Sequence, residues 1–379
     1  MAEYRDFTQS DLFINPNDPE MEYRRRHDEE KLVPYWGQRK LLLTLIQFVS
    51  LFWDTKITKP IIVYAGAAPG TNIGFVSELF PEIEFHLYDP APFKIKPSSK
   101  VHIYQQLFMD TDAEKWANRN DVYFISDIRT ADHTKAKNLD ENEAQIQKDM
   151  QMQMQWFRII NPVHGHLKFR LPYTGGNRPP RVDYLYGYIL KQPFAPQTTT
   201  ETRLVPVRGE DGNWMFVSWS CKKYQEQMFY HNVVIREKFK YKNPFTQDQK
   251  PIDGMELTND WDSRAEAQIW MDYLTKRKVP ITEQNVVALS RLATKKLTEN
   301  NKYKDNLHLI RSNPQRIKQR NTHRTRDNMR YDNNDGPKKS HLIQTDHYVK
   351  LDDKTDKGQE IIEQYQPKEK VLAKEIGLQ

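Results

Sequence analysis

The sequence predicts an open α/β fold. A central, mostly parallel sheet carries helices on both faces, and a basic C-terminal tail, expected to be largely disordered, follows it. Three observations predict it. An apolar β-branched run, residues 61–64, breaks into the turn Gly66-Ala67-Ala68-Pro69-Gly70 and then into a helical stretch with apolar Ile73, Phe75, Val76 and Leu79. Further strand-like runs at 84–88, 101–108, 121–127 and 165–171 are separated by polar or helical stretches, the alternation expected of a parallel sheet. Two of the runs end on carboxylates, Asp89 and Asp127, where the strand tips of such a sheet face a ligand crevice. Strand, glycine turn, helix, strand and terminal acid is the Rossmann-like layout of a nucleoside-cofactor half-site. Its glycines let the backbone approach the ligand, and the acid about twenty residues on accepts ribose hydroxyls.

Taken in order, residues 1–33 are charged and rich in turn formers, an arm laid on the body. The stretch 33–40 enters a helix that continues to about Trp53, with Lys40 in its first turn, where a cation opposes the helix macrodipole. After the half-site, 91–100 is a Pro/Lys/Ser loop, 101–108 a third strand, 111–119 a short polar helix and 121–127 a fourth strand. Residues 143–160 form a long helix whose methionines read as core packing. A fifth strand, 165–171, sets Lys168 among apolar neighbours, and the loop 172–181 after it is basic and aromatic. Residues 199–207 and 214–220 read as an antiparallel pair joined by a turn at 209–212, with Glu201 in the first strand. From 222 to about 300 the chain is mainly helical and packs on one flank of the sheet. The body thus spans 34–300 and the tail 301–379.

Composition limits the function classes. The chain has 379 residues, net charge +6 and a single cysteine, Cys221, so an intrachain disulfide and a thiolate metal cage are excluded. Mean hydropathy is −0.85 and the pI is near 9.0. Residues 301–379 hold 17 Lys+Arg against 12 Asp+Glu, leaving only +1 for the rest, so overall basicity reports the tail. Within it, Arg311, Arg316, Lys318, Arg320, Arg324, Arg326 and Arg330 face one acid, Asp327, a pattern suited to salt-dependent phosphate contacts. Eleven histidines lie without metal-ligand spacing along the chain, so no metal is expected. The polar, acidic start is no signal peptide, and the longest apolar run, 41–53, is too short to span a bilayer.

The turn at 66–70 lacks the G-x-G-x-x-G of dinucleotide sites. Its form, G-x-x-P-G, resembles the S-adenosylmethionine (SAM) loop of RNA 2′-O-ribose methyltransferases. An α/β topology of this kind is expected to bring Lys40, Asp127, Lys168 and Glu201, each at the edge of a regular element, together. Two lysines and two acids match what ribose 2′-O methylation needs, because the hydroxyl is a very weak acid and a base must take its proton. A lysine serves as that base where burial or a second cation favours its neutral form. Lys168, between Leu167 and Phe169 with Lys40 nearby, meets both conditions.

The blocks PYWGQRKLLL, VYAGAAPGTNI, FISDIRT, INPVHGHLKFRLPY, QPFAPQTTTETRL and YQEQMFYHN, in one order over roughly 23–240, make the resemblance specific. The sequence resembles the poxvirus cap-specific mRNA 2′-O-methyltransferases, which also serve as regulatory subunits of the viral poly(A) polymerase. The resemblance implies a SAM-dependent RNA methyltransferase domain over 34–300 and a large cytoplasmic DNA virus as source. The protein would act in the host cytoplasm or travel in the virion. It places the catalytic residues on Lys40, Asp127, Lys168 and Glu201, with Lys168 as base and no metal. It places the cofactor positions on Gln38, Tyr64, Gly66, Ala68, Pro69, Gly70, Asp89, Met109 and Asp127. The capped mRNA would stack its methylated guanine between Tyr173 and Tyr23, with Arg178 and Arg181 on RNA phosphates. Gly175 stands where an acid is expected, and Gln225 where the family has Glu, with Glu226 beside it. Two alternatives stand beside this reading: a 2′-O-methyltransferase of uncapped or ribosomal RNA, and a non-catalytic, RNA-binding partner of the poly(A) polymerase catalytic subunit.

Overall fold

The computed structural model describes residues 4–24, 34–132, 135–250, 252, 259–298 and 359–360. The disorder expected over 301–379 lies outside the described residues, apart from 359–360.

The apolar run at 61–65 forms strand β3 (Ile61–Ala65) in the middle of an eight-stranded sheet, where both of its faces are covered. Before it come β1 (Tyr4–Arg5), β2 (Phe13–Ile14) and helix α1 (Pro34–Phe52). After it come α2 (Ile73–Leu79), β4 (Glu84–Tyr88), β5 (Val101–Tyr104), α3 (Asp110–Glu114), β6 (Val122–Ser126), α4 (Leu139–Ile160) and β7 (Gly165–Phe169). The chain continues through β8 (Arg181–Leu185), β9 (Gly187–Leu190), β10 (Thr202–Pro206), β11 (Phe216–Ser220) and α5 (Cys221–Tyr230). A π-helical turn, His231–Ile235, leads to α6 (Arg236–Lys238) and β12 (Lys240–Tyr241), and α7 (Trp261–Arg277) and α8 (Glu283–Thr298) close the described body.

The sheet runs β2-β9-β10-β7-β6-β3-β4-β5. From β7 to β5 the ladders are parallel; β10 and β9 extend the sheet antiparallel, and β2 caps that edge. Alternation along the strands divides the core in two. Ile62, Phe85, Leu87, Tyr123 and Ile125 pack with α1, α2, α7 and α8, whereas Val63, Val122, Phe124, Leu167 and Phe169 pack with α4 and α5. Helices therefore cover both faces. Among the described residues no helix is long and apolar enough to cross a membrane.

Three local expectations are corrected. Lys40 is the seventh residue of α1, one turn deeper than expected, because the helix already starts at Pro34. Helix α4 begins at Leu139, since Asn138 caps it by accepting from the Glu141 amide at 2.9 Å. The segments around 199–207 and 214–220 do not form a ladder with each other. They touch through one bridge, Arg208 to Trp214, while β10 lies between β7 and β9 and β11 pairs with β8 in a separate two-stranded sheet. The run 181–190 supplies both new partners. It is split at Tyr186, and Gly187 lets β9 approach β10 so closely that a Cβ there would stand 2.0 Å from the Val205 carbonyl oxygen.

Candidate active site

Glu201 and Arg203 lie two residues apart at the start of β10, so their side chains leave the same face of the sheet. Lys168 in β7 is the direct cross-strand partner of Arg203, and Asp127 follows the tip of neighbouring β6. Two cations directly opposite would repel. The carboxylates of Asp127 and Glu201 bridge them. Lys168 Nζ is 3.0 Å from Asp127 Oδ1 and 3.5 Å from Glu201 Oε2. Arg203 Nη1 is 2.7 Å from Asp127 Oδ1, and its Nη2 is 3.8 Å from Glu201 Oε1. Lys40 brings its Nζ from α1 to 3.3 Å from Glu201 Oε1, and Arg129 Nη2 stands 3.5 Å from Glu201 Oε2. The four residues expected to cluster do so, joined by two arginines.

Four cations around two carboxylates leave a positive surplus, and its effects follow. Burial alone would raise the Asp127 carboxyl, but Arg203 and Lys168 bring it down to about 2. Burial likewise opposes the charge on Glu201, and Lys168, Lys40, Arg203 and Arg129 overcome it, holding that carboxyl well below its usual range. The Lys40 ammonium is pushed below its ordinary value by burial, against the pull of Glu201. Lys40 is carried by a rigid support. Its neighbour Arg39 is buried, paired through Nη2 and through Nε at 3.0 Å with the Glu266 carboxylate of α7, and donates to Thr294 of α8 at 3.0 Å.

The glycine turn follows β3 directly. Gly66 has φ +82°, and a Cβ there would lie 2.8 Å from the Asp127 carbonyl carbon; Gly70 has φ +70°, and its Cβ would lie 2.9 Å from Ile95. The Ala68–Pro69 peptide is cis. Asp89, just past β4, accepts from the Ala68 amide at 3.1 Å and from the Ala91 amide at 2.8 Å. Gln38 of α1 accepts from the Thr71 hydroxyl through its side chain and from Asn72 Nδ2 through its carbonyl, both at 3.0 Å. Tyr64 sits one residue from the end of β3, its phenol pushed up by burial and by Asp127. Gln38, Tyr64, Gly66, Ala68, Pro69, Gly70, Asp89 and Asp127 thus border one end of the strands. Met109, beyond the carboxyl end of β5, stands at the entry to α3 and is 54% exposed.

Beyond β7, Tyr173 and Tyr23 meet with ring centroids 5.1 Å apart at 32°, and Phe229 packs edge-on against Tyr23. A base sandwiched between two rings needs about 7 Å, twice a carbon contact distance, so the tyrosines touch where a base would enter. The loop that carries Tyr173 is tightly braced. Gln225, buried, accepts from the Thr174 amide at 2.8 Å, and Glu143, buried, accepts from the Tyr173 amide at 3.3 Å. Arg178, expected on RNA phosphates, donates instead to Asp140 Oδ1 at 2.6 Å and to the carbonyls of Tyr173 and Thr174. Its guanidinium is spent inside the loop. Arg181, the other expected phosphate contact, is exposed, and its guanidinium donates to Ser218. Gly175 has φ +104°, a conformation that an acidic residue rarely adopts, which gives its departure from the expected acid a backbone cause. Glu226, on α5, stands 4.0 Å from Lys222.

A family model described as Poly A polymerase regulatory subunit matches residues 7–255. The chain belongs to this family. Among curated relatives, the cap-specific mRNA (nucleoside-2′-O-)-methyltransferase of Myxoma virus (strain Lausanne) is 25% identical over 255 residues, 61% of this chain and 72% of the relative. The protein of the same description from Fowlpox virus (strain NVSL) is 28% identical over 225 residues, 53% of this chain and 68% of that one. A solved structure of bluetongue virus VP4, titled a multifunctional RNA-capping production line, overlaps at 13% identity with a TM-score of 0.36. It covers 61% of this chain and 39% of that one, a fit too loose to carry an argument.

The poly A polymerase regulatory subunit match spans every residue of the cluster and ends before α7 and α8 begin. Sequence reasoning missed Arg203 and Arg129. Arg203 had a signal: two residues after Glu201 on a strand, it shares that residue's face. Arg129 had none, because the turn that follows β6 has no period that would aim it.

Proposed function

We propose that this protein is a SAM-dependent methyltransferase acting on the ribose 2′-O of the first transcribed nucleotide of capped mRNA. The observation that carries the reading is the knot of Lys40, Asp127, Lys168 and Glu201 beside the bare glycine turn at Gly66–Gly70. The residues present fit SAM: two glycines at positive φ, Gly66 and Gly70, that keep the turn free of side chains, Asp89 at a strand tip for ribose hydroxyls, and a buried Asn72 Oδ1 with no hydrogen-bond partner near the turn. Bound SAM supplies a methyl on a sulfonium that leaves as a neutral thioether. Lys168 takes the proton of the attacking 2′-hydroxyl as the new oxygen–carbon bond forms. Asp127 and Glu201 hold the Lys168 amine in place and balance the charge that arrives on it. Lys40, Arg203 and Arg129 keep both carboxylates ionised, so neither competes for that proton.

Tyr173 is the stacking face for the methylated guanine, and Tyr23 moves aside to admit it. The printed descriptions of the Myxoma and Fowlpox relatives support the capped substrate, and the family description supports a second role as partner of a viral poly(A) polymerase catalytic subunit. Residues 34–300 form the methyltransferase domain, and the site of action is the host cytoplasm.

The deciding experiment is methyl transfer from labelled SAM to a short RNA bearing a 7-methylguanosine cap, an unmethylated cap or no cap. The expected result is transfer confined to the methylated cap and mapped to the first ribose, abolished in Lys168→Ala with SAM binding retained. Equal transfer to uncapped RNA would replace the reading with a general RNA enzyme. No transfer with SAM still bound would leave the polymerase-partner role.

A further inference from the structure

At the far edge of the sheet, away from the catalytic knot, three side chains converge. Glu84 and His86 lie two residues apart on β4, on one face, and His102 on β5 is the register partner of His86. The imidazole rings stack 4.5 Å apart at 19°. His86 Nε2 is 2.8 Å and His102 Nε2 is 3.0 Å from the same oxygen, Glu84 Oε1. The three ligand atoms all lie within 4.8 Å of one another. No sequence spacing announces this group, because strand pairing joins residues sixteen apart.

We propose that Glu84, His86 and His102 form a transition-metal site, with zinc the best-matched ion. Two imidazoles and one carboxylate are the donor set that suits Zn²⁺, which binds such atoms at about 2.0–2.2 Å. Small rotations of the two part-exposed side chains, Glu84 and His102, bring three donors around one centre; the fourth position faces solvent. Two further observations point to a ligand. His102 Nε2 is buried and makes no hydrogen bond that meets normal geometry, although it faces the carboxylate. His86 Nδ1 is engaged by the Tyr104 hydroxyl at 3.1 Å, the outer-shell contact that fixes a metal-bound imidazole. Trp116 packs edge-on against the His86 ring at 4.4 Å and shields that side. Arg119 is neutralised by a paired contact to Asp121 at 2.9 and 2.8 Å, which leaves Lys100 as a nearby cation the ion must tolerate.

The site lies toward the amino end of β4, whereas the glycine turn and Asp89 lie at the carboxyl end, so its role is structural. It clips β5, an edge strand of four residues, to β4. Methyl transfer does not depend on it.

The test uses tag-free full-length protein stripped with a chelator and titrated with Zn²⁺ by calorimetry, and with Co²⁺ followed by visible absorption. The expected result is one equivalent of Zn²⁺ bound, a higher melting temperature, and the strong visible bands of low-coordinate cobalt. His102→Ala and Glu84→Gln weaken binding by more than about 100-fold, and Tyr104→Phe by about 10-fold, with unchanged circular dichroism. Binding well below one equivalent, or equal affinity in wild type, His102→Ala and Glu84→Gln, overturns the proposal.

Discussion

Asp127 loses its nearest cation if Arg203 is replaced by methionine. Arg203 is buried and Asp127 largely so, and the remaining partner of Asp127, Lys168, is shared with Glu201. Removing one member of a buried ion pair costs about 3–5 kcal/mol, so Arg203→Met should lower the unfolding free energy by that amount, measured by urea denaturation. Lys40→Met is the opposite case. Its ammonium is disfavoured in the folded state by burial, and Glu201 keeps Lys168, Arg203 and Arg129 as partners without it. Stability should be unchanged or rise by roughly 1 kcal/mol at neutral pH, while turnover is lost. The sign follows from linkage. The unfolded lysine holds its proton to higher pH than the folded one, so wild-type stability recovers as pH rises toward the lysine's ordinary 10.5, and the gap to the variant closes. A variant with lowered stability at pH 7 and intact turnover would contradict both parts. The four-residue core of the knot was legible in the sequence because Asp127 and Glu201 sit at strand ends, Lys168 among apolar neighbours and Lys40 near the start of a helix. The charge surplus was not, since it depends on arginines aimed by strand pairing.

Helix α7 contains an acid in an unfavourable setting. Asp272 is raised to about 6 by burial, only partly offset by hydrogen bonds from Gln268 and Gln9. In the unfolded chain it ionises near 3.8. Below that value both states are protonated and its contribution is intact. Between the two values the unfolded state ionises first, so stability falls with rising pH and stays low above 6. Asp272→Asn should therefore match wild type below pH 4 and exceed it by roughly 1–3 kcal/mol above pH 7, read from urea midpoints across pH. A constant difference at every pH would remove ionisation as the cause. The loop carrying Tyr173 gives a second test. Gln225→Ala frees the Thr174 amide, at a cost of about 1 kcal/mol in loop order, and should raise KM for capped RNA about 3–10-fold while leaving uncapped RNA unaffected. Equal effects on both substrates would detach this loop from cap recognition. At this scale the centre of the parallel half was legible, because β3 and β6 are near-continuous apolar runs. The antiparallel half was misread: residues 199–207 and 214–220 are close in sequence, yet β8 and β9 offer each a longer ladder elsewhere.

At the scale of the whole chain, the described body and the basic tail differ in charge. Helix α8 ends at Thr298, with Val286, Leu289, Leu292 and Ala293 buried in the core shared with α1 and α7, so a cut at 300 passes through none of that packing. The tail holds a surplus of five positive charges, concentrated in residues 311–330, whereas residues 1–300 carry +1. Affinity for single-stranded RNA that comes from such a segment falls with salt by about 0.7 in log–log slope for each phosphate neutralised. The seven cations of 311–330 thus account for a slope of up to about 5. Deleting 301–379 should flatten the salt dependence of RNA binding toward what the knot and its surroundings supply, leave the melting temperature in place, and spare turnover on a short capped RNA that reaches no farther than the body. The measurement is RNA affinity across a salt series, with melting temperature and methyl transfer on the same preparations. An unchanged slope would move the electrostatic contact onto the body, where Lys222 and Lys223 on α5 are the exposed cations beside the Tyr173 loop. A fall in melting temperature would instead make part of 301–379 a packed element that its sparse apolar pattern does not reveal.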